Sequence, residues 1–216
     1  MPNNGGHRGQ LRGCMSFIIT DTNEGGGLED ALSRKEIVFV AGSPSTVSRS
    51  SAVARNVAAR LEGLGHTTCW LDVRDFDPGD VFFSRSDAPA VKRFVESVRG
   101  AAAVVFSTPV YKATYAGALK ALVDLIPSDA LAGKPALGIG TTPLDGHGGE
   151  FARSFDALFS FFKARPLGTL LVLDGEVTVG EGGSALAACA EGRLAIVLRE
   201  LSRALGAGEL EARSLP

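Results

Sequence analysis

A three-layer α/β fold, with a parallel β-sheet and helices on both faces, is what this sequence predicts. Three observations carry that reading. Short runs rich in Val, Ile, Leu and Ala recur five times, each suited to a strand buried on both faces. Between them, apolar residues fall at i, i+3, i+4 and i+7, the spacing of helices with one buried stripe. Breakers then cluster where runs end: Gly42 and Pro44, Pro109, and Gly140 with Pro143. Strands alternating with helices imply right-handed crossovers and hence a parallel sheet.

The first strand covers Ile37 to Ala41 and leads into a helix that runs from Ser50 to about residue 63, with Val53, Val57 and Leu61 on its apolar side. The β-branched and aromatic run from His66 to Val73 is the second strand. Residues 74–86 form a long connection with a turn at Pro78-Gly79, and Phe82-Phe83 is expected to be buried beneath it. The other uses for that pair are covering a site edge or meeting another subunit. A helix from Pro89 to Val98 buries Val91, Phe94, Val95 and Val98. The third strand, Ala102 to Ser107, ends in the loop Thr108-Pro109-Val110-Tyr111. A helix from Lys112 to Ile126 follows and buries Tyr115, Leu119, Leu122, Val123 and Ile126. The fourth strand, Pro135 to Gly140, opens into Thr141-Thr142-Pro143. Next come a helix burying Phe151, Phe155, Leu158, Phe159 and Phe162, a fifth strand from Gly168 to Leu173, and a last helix from Ala185 to Leu205. Residues 1–34, rich in Gly and Asn, read as a flexible extension, 35–206 as one domain, and 207–216 as a C-terminal tail.

Composition narrows the function. A chain of 216 residues with net charge −2 and pI near 5.9 gives no electrostatic reason to expect nucleic acid or an anionic membrane as partner. No apolar run approaches the ~18 residues a membrane span needs. Cys14, Cys69 and Cys189 are scattered without metal-ligand spacing, which fits a reducing cytoplasm, and Cys69 reads as a small core residue. His7, His66 and His147 are isolated, so neither a catalytic dyad nor a metal site is expected.

The segment after the first strand is the chemical signal. It holds Ser43, Ser45, Thr46, Ser48, Ser50, Ser51 and Arg49 immediately before and inside a helix start. Free N–H groups and the positive end of the helix dipole stabilise an anion there, hydroxyls donate to it, and Arg49 adds a charge-assisted contact. Neither G-x-x-x-x-G-K-[ST] nor G-x-G-x-x-G is present, which excludes the usual NTP and dinucleotide loops. A terminal monophosphate, as in flavin mononucleotide (FMN), fits a hydroxyl-lined loop. The competing use of such residues is as turns and helix caps. Five strands suit the flavodoxin-like order 2-1-3-4-5, which places a ligand between the carboxyl ends of the first and third strands. Thr108, Pro109, Val110 and Tyr111 after the third strand, and Thr141 and Thr142 after the fourth, have the same ligand-binding character.

Two segments carry a family resemblance. Ala41-Gly42-Ser43-Pro44 with Ser48-Arg49-Ser50-Ser51, and the run Thr108 to Lys120, resemble the NADPH-dependent FMN reductases. Within them they are most similar to the reductase component of two-component alkanesulfonate monooxygenases. The likeness covers about residues 36–205. It implies NADPH and FMN as substrates and reduced FMN released to a partner flavin-dependent monooxygenase. It also implies a homodimer or homotetramer. By the same resemblance, Ser43, Ser48, Arg49, Ser50 and Ser51 surround the phosphate, and Thr108, Pro109, Val110 and Tyr111 flank the flavin ring. Tyr115 matches a tyrosine that sits in a π-bulge at the tetramer interface of the alkanesulfonate type; plain core packing is the alternative for its position. The sequence departs from the family in Gly140 to Leu144, where paired glycines are delayed to Gly148-Gly149, and in the glycine-rich stretch Asp174 to Gly183. Hydride transfer from NADPH to FMN requires no acid–base pair from the protein. The rival readings are a quinone or azo reductase that retains its FMN and a flavodoxin-type electron carrier.

Overall fold

In a computed structural model, which describes residues 36–143, 145–180 and 183–206, five long strands run parallel in one sheet. They are β1 (Glu36–Ala41), β2 (Thr67–Asp72), β3 (Ala103–Tyr111), β5 (Pro135–Thr142) and β6 (Arg165–Leu173), with a short β4 (Thr114–Tyr115) paired to β3. The spatial order β2-β1-β3-β5-β6 is the flavodoxin-like one. The extension and tail expected over 1–34 and 207–216, with Cys14 and His7, lie outside the described residues.

Strand alternation sorts the core into two halves. Val38, Val40, Val104 and Phe106 face one side, where α3 (Pro89–Gly100), α4 (Gly117–Val123) and α5 (Gly148–Phe161) supply Phe94, Leu119, Leu122 and a run of phenylalanines. Phe155 is fully buried at its centre, 5.2 Å from Phe151 and 5.3 Å from Phe159 between ring centroids. Ile37, Phe39, Ala103 and Val105 face the other side. There α1 (Arg49–Gly63) supplies Val53, Val57 and Leu61, and α6 (Ala188–Ala204) supplies Leu194, Leu198 and Leu201. Gly138 and Gly140 in β5 let the phenylalanines lie against the sheet. A Cβ at Gly140 would stand 2.4 Å from the Phe151 ring.

Four sequence expectations need correction. The third strand continues through Thr108–Tyr111 and turns back into β4, so the helix expected from Lys112 begins only at Gly117. Lys112 and Ala113 have φ of 52° and 68°, the left-handed pair that a two-residue hairpin of type I′ demands. Tyr115 is therefore in an extended strand rather than on a helical face, and no π-bulge surrounds it; its ring packs edge-on against Phe155 at 5.4 Å. The connection 74–86 contains a helix, α2 (Pro78–Phe82), capped by the Asp77 carboxylate. Phe82 and Phe83 at its end are exposed, at 77% and 67%, rather than buried. Finally, a hairpin of β7 (Val177–Gly180) and β8 (Gly183–Leu186) packs along α1, and α6 starts three residues later than expected, at Ala188. Cys69 is a buried core residue as expected.

Candidate functional site

The carboxyl ends of β1, β3, β5 and β6 form one rim, and the sequence-chosen residues gather on it. Register fixes the neighbours: Ala41 pairs with Ser107, Pro109 with Thr141, and Thr142 with Leu173. One further bond from Gly42 N–H to the Ser107 carbonyl, at 2.8 Å, carries the pairing into the serine loop. A Cβ at Gly42 would lie 2.3 Å from Leu119 Cβ and 2.8 Å from its Cα. Only glycine lets the loop after β1 sit directly on α4, so the first and third rim segments are held together.

The loop organises itself with its own hydroxyls. Ser48 is the N-cap of α1, accepting the Ser51 N–H at 3.2 Å and lying 3.1 Å from the Ser50 hydroxyl. Ser43 Oγ accepts the Ser45 N–H at 3.3 Å, and Ser45 Oγ donates to the Val47 carbonyl at 2.8 Å. The turn-and-cap use of these residues is thus present, and it shapes the cradle. The remaining N–H groups of the first helical turn have no intrahelical partner by the geometry of any α-helix. Ser43, Ser50 and Ser51 are buried, while Arg49 stands at the surface with its side chain 52% exposed. The Arg49 guanidinium lies 3.6 Å from the Asp174 carboxylate, just past the end of β6. Beneath this loop the Ser107 hydroxyl is buried without a hydrogen-bond partner. Helix N–H groups, hydroxyls and one guanidinium are a donor set that fits a phosphate monoester.

The second rim segment is held from within by one of its own side chains. Thr108 is fully buried, and its Oγ1 accepts the Ala116 N–H at 2.9 Å while donating to the Pro109 carbonyl at 2.9 Å. It is a strut that ties β4 and the start of α4 to β3. Val110 is buried, Pro109 is half-buried, and Tyr111 is half-exposed at the hairpin tip. Thr141 and Thr142 are buried at the end of β5.

Sequence reading missed Ser107, Asp72 and Asp174. Asp72 ends β2 on the same rim, 3% exposed, and receives Arg74 Nε at 2.8 Å and Nη2 at 2.6 Å. Burial would raise its carboxyl, but the hydrogen bonds and charge of Arg74 outweigh that and hold it below the usual range. The neighbouring Asp75 is pushed up by burial and by the Asp72 charge. Spacing of acidic and basic residues two apart carries no motif, so no pattern in the sequence marks this pair. Among the described residues, no helix is long and apolar enough to cross a membrane.

Comparison with known proteins agrees with this geometry. A family model described as NADPH-dependent FMN reductase matches residues 36–182. The chain is 41% identical over 105 residues to "FMN reductase (NADPH)" of Escherichia coli strain K12, across 49% of this chain and 55% of that relative. The match therefore spans only about half the length of that relative. It is 36% identical over 147 residues to "FMN reductase (NADPH)" of Pseudomonas putida strain KT2440, across 68% of this chain and 75% of that one. Among solved structures, the apo form of an NADH:FMN oxidoreductase superposes with a TM-score of 0.70 at 22% identity, over 82% of this chain and 92% of the other, a likeness of fold. The rim geometry and a family match over most of the chain converge: this protein belongs to the NADPH-dependent FMN reductases.

Proposed function

We propose that this protein oxidises NADPH and reduces FMN, which enters as a substrate and leaves reduced. The observation that carries the reading is the meeting, on one rim, of the serine loop at the start of α1 with the Pro109–Tyr111 edge and Thr141–Thr142. The flavin ring itself supplies hydride acceptance from the nicotinamide when bound. The chain binds, orients and shields. Arg49, the open N–H groups of α1 and the serine hydroxyls hold the phosphate. The backbone edge of Pro109, Val110 and Tyr111 borders the ring, with Tyr111 free to cover it. Thr108 fixes that edge from behind. An exchangeable flavin calls for micromolar affinity, about −8 kcal/mol.

Release of reduced FMN to a flavin-dependent monooxygenase of the alkanesulfonate type, in the cytoplasm, is the finer part of the proposal. It rests on the resemblance of Thr108 to Lys120. A homodimer or homotetramer completes it. Phe161, 66% exposed, lines an open cavity of about 410 Å³ with Val123, Ile126, Leu158 and Phe162, and Lys120, Asp124 and Ser128 line it too, a mixed face that supports self-association.

NADPH consumption followed with FMN omitted, catalytic or in excess, and with a quinone, tests the proposal. Turnover that saturates with added FMN supports it. Yellow protein indifferent to added FMN but active on quinone favours a flavin-retaining quinone or azo reductase. No oxidation under any condition leaves an electron carrier.

A further inference from the structure

We infer that Asp174 is a built-in competitor for Arg49, a fixed negative charge that weakens the grip on the flavin phosphate and so promotes FMN exchange. This deepens the proposed function and rests on it.

Three observations support the assignment. The Arg49 guanidinium is 3.6 Å from the Asp174 carboxylate, so the cation that a phosphate needs has a carboxylate partner within the chain. Asp174 belongs to a 3₁₀ turn, Asp174–Glu176, just past the end of β6. Glu176 pins this turn: one carboxylate oxygen accepts the Leu173 N–H at 2.8 Å and pairs with Arg193 of α6, and the other lies 3.0 Å from Cys189 Sγ. The Ala187 N–H adds a bond to the Glu176 carbonyl at 2.9 Å. Arg49, in contrast, has a long exposed side chain on the first residue of α1. The arginine is the longer and more exposed member of the pair, and the aspartate belongs to a hydrogen-bonded turn. When a phosphate takes Arg49, the pair with Asp174 breaks and a carboxylate is left near the incoming dianion. Both effects oppose binding of the phosphate and neither touches the ring.

The test is a double-mutant cycle read with two flavins. FMN and riboflavin are titrated by flavin fluorescence into the wild-type protein, Asp174→Asn, Arg49→Ala and the double variant, at low and at moderate salt. Asp174→Asn is expected to tighten FMN about three- to fivefold at low salt, the reach of one exposed ion pair. Riboflavin, lacking the phosphate, is expected to bind both proteins equally. The gain is expected to shrink as salt screens the charges and to be smaller in the Arg49→Ala background, where only the repulsion between Asp174 and the phosphate is relieved. FMN affinity that is unchanged or weaker in Asp174→Asn overturns the inference, as does an equal gain without Arg49. Those outcomes leave the flavin reading intact. Absence of FMN binding in every variant overturns the flavin reading and this inference with it.

Discussion

Replacing Thr108 by Val keeps the shape of the side chain and deletes one oxygen. That oxygen holds two bonds, from the Ala116 N–H and to the Pro109 carbonyl, each at 2.9 Å. Ala116 is 1% exposed, so water cannot replace the lost acceptor, and an orphaned buried amide costs about 1–3 kcal/mol. The bond also holds closed a hairpin whose turn residues, Lys112 and Ala113, sit at positive φ, a conformation costing roughly 1–2 kcal/mol per non-glycine residue. Removing the strut therefore loosens the segment that borders the proposed flavin ring. Urea unfolding should show a loss of about 2 kcal/mol, a fall in Tm of about 4–8 °C for a domain of this size. Hydrogen exchange at the Ala116 amide should accelerate, and KM for FMN should rise with it. Thr108→Ser retains the hydroxyl and should keep the amide protected, losing only the buried methyl, about 1 kcal/mol. Full stability and unchanged Ala116 exchange in Thr108→Val would refute the strut.

Other perturbations follow from the same contacts. Gly42→Ala places a methyl against the Leu119 backbone and side chain, so it should separate the serine loop from α4, cost about 1–3 kcal/mol in denaturation and weaken FMN binding. Ala113→Gly should relieve the left-handed turn and stabilise the protein by about 0.5–1 kcal/mol, read by the urea midpoint. Phe155→Ala, at the centre of the phenylalanine cluster, should cost about 3–5 kcal/mol by the same assay. Arg74→Leu strands the buried Asp72 carboxylate and, with Arg74 partly exposed, should cost about 1–3 kcal/mol at neutral pH. Because the Asp72 carboxyl is held below its unfolded value near 3.9, the pair contributes above that pH and is lost as pH falls through the lower folded value. The deficit of Arg74→Leu should therefore narrow in acid, as unfolding curves at neutral and acidic pH will show.

Much of this architecture was legible because buried parallel strands must be continuously apolar. Ile37 to Ala41 and Ala102 to Phe106 admit few other readings, and period-3.6 stripes such as Phe151, Phe155 and Phe159 fix the helices between them. Strand order then points to the rim before any side chain is placed. The hairpin at Tyr111–Thr114 was hidden because Lys112-Ala113 lacks the Asn-Gly chemistry that announces a type I′ turn. Local propensity favoured a helix there, and tertiary contacts through Thr108 and Phe155 overrode it. Thr108 lies within β3 rather than in the loop expected after it, and spacing cannot tell a hydroxyl facing a ligand from one facing Ala116. Asp174 was invisible for a different reason: its partner Arg49 is 125 positions away, and only folding brings the two charges together.

A crystal structure of the protein grown with FMN tests the central claim most directly. The account predicts the phosphate within hydrogen-bonding distance of the serine loop and the first turn of α1, with Arg49 turned toward it and the ring along Pro109–Tyr111. A phosphate bound away from the start of α1, or a ring lying off the rim formed by β1, β3 and β5, would contradict it.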